Sequence, residues 1–141
     1  MQYFPDFGYG LHRVVYVSRS AIGDLAGSEA VVADIVARSA TNNRAKGLTG
    51  ALIVYEGWFL QALEGSRAAI KPLYETIAAD PRHTDVTLKA VDSISSRSFT
   101  RWGMKQGRQP EGLAFDLMSA SPEELLSILK LSVLAAGRRA A

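Results

Sequence analysis

No cysteine occurs among the 141 residues of the chain, and this absence excludes several kinds of site. Without a thiol the chain forms no disulfide, no cysteine-ligated zinc site, no thiol nucleophile and no covalent adduct between a cysteine and a cofactor. Histidine is scarce too, with only His12 and His83, so the sequence predicts no metal site.

Long apolar runs and a strong charge bias are also missing. The longest apolar run near either end is far shorter than the roughly 20 residues that span a bilayer. The first ten residues carry no Lys or Arg that would start a signal peptide. The 16 basic and 14 acidic residues are well mixed, without a basic run that would favour nucleic acid. We therefore expect a cytoplasmic protein that contacts neither a membrane nor nucleic acid.

The order of predicted elements is that of a ferredoxin-like α+β domain. β-Branched and aromatic residues predict strands, and apolar residues at helical spacing predict helices between them. Right-handed crossovers then place both helices on one face of a mixed sheet. The predicted order is strand 13–18, helix from Ser28 to about 41–43, strands 48–55 and 58–64, helix 66–79, and strands 87–94 and 98–105.

The C-terminal part of the chain is predicted to cover the other face of the sheet. Ser121, Pro122 and Glu124 combine an N-cap, a proline at the first helical position and a capping box. The residues 125–134 that follow are too apolar for a narrow stripe, so this helix is buried on more than one side. We expect one domain, with an N-terminal extension at 1–11, a core at 12–107 and a helical cap at 108–141.

Strand alternation draws attention to a tyrosine and a glutamine. Phe59, Gln61 and Leu63 share one face of their strand, and a buried amide without a partner costs roughly 1–3 kcal/mol. Tyr16 lies on the first strand, a predicted neighbour in the sheet, so its hydroxyl is expected to meet Gln61 beneath the helices. From the residues alone, a structural hydrogen bond in the core is the favoured interpretation, and a functional pair is the alternative.

Five segments, in the same order along the chain, resemble one known family. Residues 55–65 contain the pattern Phe-x-Gln-x-Leu-Glu-Gly, which is typical of BLUF (blue-light-using-flavin) domains. The resemblance covers about residues 12–107, although the stretch between Tyr16 and Asn43 is a few residues longer than usual. The other four segments are Tyr16 with Ser18, Asn42-Asn43 with Gly47-Leu-Thr-Gly50, Asp80-Pro-Arg-His83, and Arg97-Ser-Phe-Thr-Arg-Trp-Gly-Met104.

The resemblance implies a blue-light photoreceptor that binds FAD, although FMN or riboflavin would also fit such a site. It implies that Tyr16 is the photoactive tyrosine and Gln61 the amide that switches its hydrogen bonds. Asn43 matches the residue that anchors the pyrimidine edge of the flavin. Arg82 and His83 match a pair beside the cofactor.

The resemblance also indicates how the signal leaves the domain. Trp102 and Met104 match a pair whose exchange between buried and exposed positions is a proposed output step. Because no effector domain is recognisable after residue 107, we expect a sensor without enzymatic activity. It would act through a homo-oligomer and a separate effector protein. The alternatives are a flavin-free ferredoxin-like interaction module and, with less support, a small enzyme resembling an acylphosphatase. The enzyme is disfavoured because the chain has no glycine-rich phosphate loop with an arginine.

Overall fold

Five strands and three helices make up the described part of the chain. The structure is a computed structural model that describes residues 10–21, 29–55, 57–99, 105–106 and 116–138. The elements are β1 Leu11–Ser20, α1 Glu29–Ala45, β2 Thr49–Tyr55, β3 Trp58–Ser66, α2 Arg67–Ala78, β4 His83–Ser93, β5 Lys105–Gln106 and α3 Pro122–Arg138. Among the helices described, none has the length and apolarity of a bilayer-spanning segment.

Strand β1 lies inside the sheet, between β3 and β4. The strand order is β4-β1-β3-β2-β5, and β1 is antiparallel to both of its neighbours. Strand β5 pairs with the outer edge of β2 in the parallel direction, which makes the sheet mixed. With α1 and α2 packed on the same face, this arrangement confirms the predicted ferredoxin-like α+β fold.

Both faces of β1 are apolar, as predicted for a central strand. Val14 and Tyr16 belong to the core beneath α1 and α2, whereas Val15 and Val17 belong to the core beneath α3. Successive side chains of a strand point to opposite faces, so one strand supplies both cores. The face beneath α1 and α2 is therefore the one that holds Tyr16.

Helix α3 covers the other face of the sheet, as the sequence predicts. The capping box forms, because Ser121 Oγ accepts from the backbone N–H of Glu124 and Glu124 Oε1 accepts from that of Ser121, both at 3.1 Å. Further along the helix, Leu125 and Leu129 are fully buried against the sheet.

Several predicted boundaries were too narrow. Strand β1 extends beyond 13–18 at both ends, and β4 begins at His83 rather than at residue 87, because Ser20 at the end of β1 pairs with His83. Helix α1 continues past 41–43 and ends at Ala45. Gly47, two residues later, adopts a left-handed conformation with φ of 72° and turns the chain towards β2. Ser28, the loop at 23–27 and Glu56 lie outside the described residues.

The predicted strand at 98–105 is wrong at its start. Ser98 and Phe99 are not in a strand, because their backbone N–H groups donate to the side chain of Glu64 instead of to a neighbouring strand. Lys105 does belong to β5, while residues 100–104 between them lie outside the described part of the chain.

Proline 72 is accommodated inside α2, which begins before it. Ser66 is the N-cap and accepts from the backbone N–H of Ala69 at 3.2 Å, so the helix starts at Arg67 and Pro72 lies in its second turn. The proline cannot donate a hydrogen bond back along the helix. The carbonyl of Pro72 in turn accepts from the hydroxyl of Thr76 at 3.0 Å.

Truncation of Leu129 to alanine is expected to lower the free energy of unfolding by about 3 kcal/mol, because it leaves a cavity between α3 and the sheet. Leu131 provides a matched control on the same helix, since Leu129 is 0% exposed and Leu131 is 48% exposed. Leu131→Ala should change stability by less than about 0.5 kcal/mol. Urea unfolding measures both values, and equal losses of unfolding free energy in the two variants would contradict the packing described for α3.

Candidate functional site

A cleft opens between α1, α2 and the sheet. It contains about 540 Å³ of empty space, part of which is open to solvent. The sheet forms its floor, α1 and α2 form its walls, and the turn after α2 forms one edge. The lining residues are Tyr16, Ser18, Ile35, Ser39, Leu52, Phe59, Gln61, Ile77, Asp80, Arg82 and His83.

Tyr16 and Gln61 meet at the floor of this cleft. They are directly opposite each other in the antiparallel ladder between β1 and β3, and both are buried. The Tyr16 hydroxyl donates to Gln61 Oε1. The contact expected from strand alternation is therefore present, and the strand register alone is enough to bring the two side chains together.

The surroundings of Tyr16 keep its hydroxyl protonated. Burial raises the pKa of Tyr16 well above its ordinary value of 10.0, and the neighbouring Tyr74 raises it further. The ring of Tyr74 packs edge-on against that of Tyr16, with 5.6 Å between the centroids. Because the hydroxyl keeps its proton at physiological pH, it can donate to Gln61 Oε1, which is the direction of the hydrogen bond in the structure.

His83 is held between β1 and the end of α2. Its Nε2 contacts the carbonyl oxygen of Ile77, and its Nδ1 lies 2.7 Å from Ser18 Oγ. Because a carbonyl only accepts, Nε2 carries a proton. The ring also packs edge-on against Phe59, at 6.3 Å between centroids. His83 is thus a fixed part of the cleft wall.

Arg82 is bound to Asp80 at the edge of the cleft. The backbone N–H and Nε of Arg82 donate to Asp80 Oδ1 at 2.9 and 3.0 Å, and Nη2 donates to Oδ2 at 2.5 Å. The side-chain hydrogen bonds from Arg82 lower the pKa of the Asp80 carboxyl. Both groups are therefore charged at neutral pH, and each neutralises the other.

Asn43 lies near the cleft without being one of its lining residues. It is buried in the last turn of α1, one helical turn after Ser39, and so continues the face of α1 that borders the cleft. Its backbone carbonyl oxygen accepts from the backbone N–H groups of Lys46 and Leu48, at 3.0 and 2.8 Å. These bonds close the connection from α1 to β2.

Glu64 is a charged group buried at the end of β3, three residues after Gln61. Its carboxylate, which is 0% exposed, accepts from Arg13 Nη1 and Thr49 Oγ1, both at 3.1 Å. It also accepts from the backbone N–H groups of Ser98 at 2.8 Å and Phe99 at 3.0 Å. This network fixes the start of the segment that leads from β4 towards β5.

The structure thus brings four of the predicted site residues, Tyr16, Gln61, Arg82 and His83, to one cleft. Their roles stay predictions, as does that of Asn43. Trp102 and Met104 lie outside the described residues, and the output step stays a prediction.

Sequence reasoning missed the roles of Asp80, Tyr74 and Glu64. The sequence does contain a signal for two of these residues, Glu64 and Asp80. Glu64 ends a strongly apolar strand, and a buried carboxylate requires partners. Asp80 stands two residues before Arg82 in a turn, the spacing at which an aspartate binds the backbone ahead of it. Tyr74 carries no comparable signal.

A family model described as sensors of blue light using FAD matches residues 11–105. The chain is 40% identical over 65 residues to the photoactivated adenylate cyclase subunit beta of Euglena gracilis, a match that covers 45% of this chain and 8% of that protein. The chain therefore corresponds to a small part of this relative.

Solved structures agree with the family match. The dark-state structure of BlrB, a BLUF protein, superposes with a TM-score of 0.75 at 30% identity, and covers 92% of this chain and 99% of that one. Klebsiella pneumoniae BlrP1, solved with FMN and cyclic diGMP, gives a TM-score of 0.64 at 26% identity over 87% of this chain and 30% of that one. Because the family model covers the ladder that joins Tyr16 to Gln61 and extends to β5, the chain belongs to the BLUF family of blue-light sensors.

Proposed function

We propose that this chain is a blue-light photoreceptor that binds FAD in the cleft between α1 and α2. Its signal begins as a change in the hydrogen bond between Tyr16 and Gln61. The observation that supports this most directly is the bond itself, which joins two buried side chains on the floor of a cleft open to solvent. A tyrosine and glutamine pair with a purely structural role would not need a cleft above it.

The cleft suits a flat aromatic ring with one polar edge. Ile35 of α1 and Ile77 of α2 supply apolar walls, while Leu52 and Phe59 supply an apolar floor around the amide of Gln61. Such sites are mostly apolar with a few polar groups that fix orientation. Part of the cleft is open, so a ribityl chain and anything beyond it can extend into solvent. FMN and riboflavin are therefore alternatives to FAD in this proposal.

Asn43, Arg82 and His83 complete the proposed set of binding residues. Asn43 would anchor the pyrimidine edge of the ring from the end of α1. His83 is fixed by its bonds to Ser18 and Ile77, so it would form a rigid side of the site. Arg82 would stand at the outer edge, where its side chain is half exposed.

A bound flavin would supply the absorption of blue light and, once excited, the capacity to accept an electron. Tyr16 would be suited to supply that electron together with its hydroxyl proton, both of which the flavin would take up, because its ring is oxidisable and its hydroxyl is hydrogen-bonded at the floor of the cleft. Gln61 has a donor end and an acceptor end, so rotation or tautomerisation inverts its hydrogen-bond pattern without a change in net charge.

Burial makes the inverted arrangement of Gln61 long-lived but reversible. Polar groups that exchange partners in a buried site pass through unpaired states, and these are costly away from water. A donor that Gln61 newly offers to the ring carbonyl would stabilise the excited state more than the ground state. The absorption of the protein would then shift to the red until the amide returns.

The output is proposed to be contact with other protein chains and not catalysis. The chain would consist of a BLUF core at 12–107 and a helical cap at 108–141. The lit state would be transmitted through the segment of the core that contains Trp102 and Met104. A second copy of the chain would contact the exposed Leu134 near the end of α3. A separate cytoplasmic effector protein would recognise the lit state.

Absorption spectroscopy of the purified full chain tests the proposal. We expect about one oxidised flavin per chain, a small red shift under blue light, and full return in darkness. This result would also exclude the flavin-free interaction module. A colourless protein that cannot be reconstituted with FAD, FMN or riboflavin would contradict the proposed function.

A further inference from the structure

The charges at the edge of the cleft are balanced. Asp80 and Arg82 are the only Asp, Glu, Lys or Arg side chains among the described residues that line it. Their side chains are 26% and 46% exposed, so they stand where the cleft meets solvent. Asp34 of α1 also acts on Arg82, but its carboxylate is itself paired with Arg38 at 3.0 Å.

Arg82 would otherwise be well suited to bind a phosphate. The guanidinium group recognises phosphate through paired N–H donors and a charge that is always present. In this structure Nε and Nη2, which form one such edge, both donate to Asp80. Among the described residues, Nη1 and the second N–H of Nη2 have no acceptor, so Arg82 can still meet a phosphate, but with a charge that Asp80 already offsets.

Riboflavin, FMN and FAD differ beyond the ring, in the part that would reach the solvent-exposed edge of the cleft at Asp80 and Arg82. Riboflavin carries no phosphate, whereas FMN and FAD carry phosphate groups with roughly two negative charges at neutral pH. A phosphate near Asp80 meets a like charge as well as an arginine whose own charge is already offset. The flat ring is common to all three flavins, so a difference in affinity between them reports on the phosphate groups.

We propose that Asp80 is a specificity-determining residue that weakens the preference of the cleft for phosphorylated flavins over riboflavin. It does so by holding Arg82 in an ion pair and by adding its own negative charge. This inference rests on the proposed flavin function. It makes the cleft select its ligand mainly by the ring, and it predicts that removing one carboxylate shifts the selection towards FMN and FAD.

The Asp80→Asn variant tests the charge without disturbing the turn. Asparagine retains Oδ1, which accepts from the backbone N–H of Arg82 and so preserves the local bend. Glu123→Gln is the matched control, because it removes the same charge from an exposed position in the first turn of α3, on the opposite face of the sheet.

Dissociation constants of riboflavin, FMN and FAD are to be measured on the flavin-free full chain and both variants. In Asp80→Asn we expect the binding of FMN and FAD to tighten about three- to tenfold relative to that of riboflavin, the range for charge interactions at a half-exposed site. Glu123→Gln should match the wild type for all three ligands. The gain should shrink in 0.5 M salt, roughly a condition in which charges more than a few ångströms apart are screened.

Each other outcome counts against the inference. An FMN-to-riboflavin affinity ratio that Asp80→Asn leaves unchanged would show that Asp80 does not set the selection. A parallel loss of riboflavin binding would make Asp80 a structural residue of the cleft. A wild-type chain that binds none of the three flavins would refute the proposed function itself, and the inference with it.

Discussion

Replacement of Tyr16 by phenylalanine is expected to give a yellow protein whose absorption no longer shifts to the red in blue light. The phenyl ring fills the same buried space between Gln61 and Tyr74, so the flavin should stay bound. The variant lacks the hydroxyl that donates to Gln61 and the oxidisable ring that supplies the electron. Difference spectra of light and dark samples at equal flavin loading measure the effect.

Three further variants separate switching from binding and from packing. Gln61→Leu should lose the red shift as Tyr16→Phe does, whereas Asn43→Ala should mainly weaken flavin retention, because the pyrimidine edge would lose a directional partner. Tyr74→Phe is the matched control, since it removes one hydroxyl from the buried ring beside Tyr16 and should retain the shift. A full, reversible red shift in Tyr16→Phe would show that the role assigned to Tyr16 is wrong.

Truncation of Glu64 to alanine is expected to lower the free energy of unfolding by about 3–5 kcal/mol, the usual effect of removing one member of a buried ion pair. The change leaves Arg13 without its carboxylate and removes the acceptor of two backbone N–H groups, those of Ser98 and Phe99. Buried donors without acceptors are expensive because they have also lost water.

Urea unfolding at a fixed flavin saturation measures this loss, because bound ligand adds its own stabilisation. Glu75→Ala is the matched control, since Glu75 is a half-exposed glutamate paired with Lys71 at 4.0 Å on the surface of α2. An exposed pair of this kind contributes about 0–1 kcal/mol. Losses of the same size in the two variants would show that the Glu64 network does not stabilise the fold.

The pairing of Tyr16 with Gln61 could be predicted because it depends on strand parity and strand order. Parity follows from the two-residue period of a strand, and the order follows from the handedness of the crossovers. The cap formed by α3 was predictable for a similar reason. The start of α3 is determined by local residues, because Ser121, Pro122 and Glu124 form its N-terminal cap.

Other parts of the site depend on contacts that no local pattern reveals. The partners of Glu64 lie 51 and 15 residues before it, at Arg13 and Thr49, and 34 and 35 residues after it, at Ser98 and Phe99. Those bonds divert residues 98–99 from the strand that their own composition favours. The ion pair of Asp80 with Arg82 is local, but its position at the edge of the cleft follows from the packing of α2.

The hydrogen-bonded register of strand β1 is regular along one edge and irregular along the other. Towards β3 the ladder runs without interruption from Leu11 to Arg19. Towards β4 the register shifts twice, once on each side of the Tyr16–Val17 pair. An unbroken ladder resists displacement, whereas a strand yields most readily where its hydrogen bonds are irregular. A displacement of Tyr16 would therefore be accommodated more readily on the β4 edge, while the regular β3 ladder would preserve the spacing between Tyr16 and Gln61.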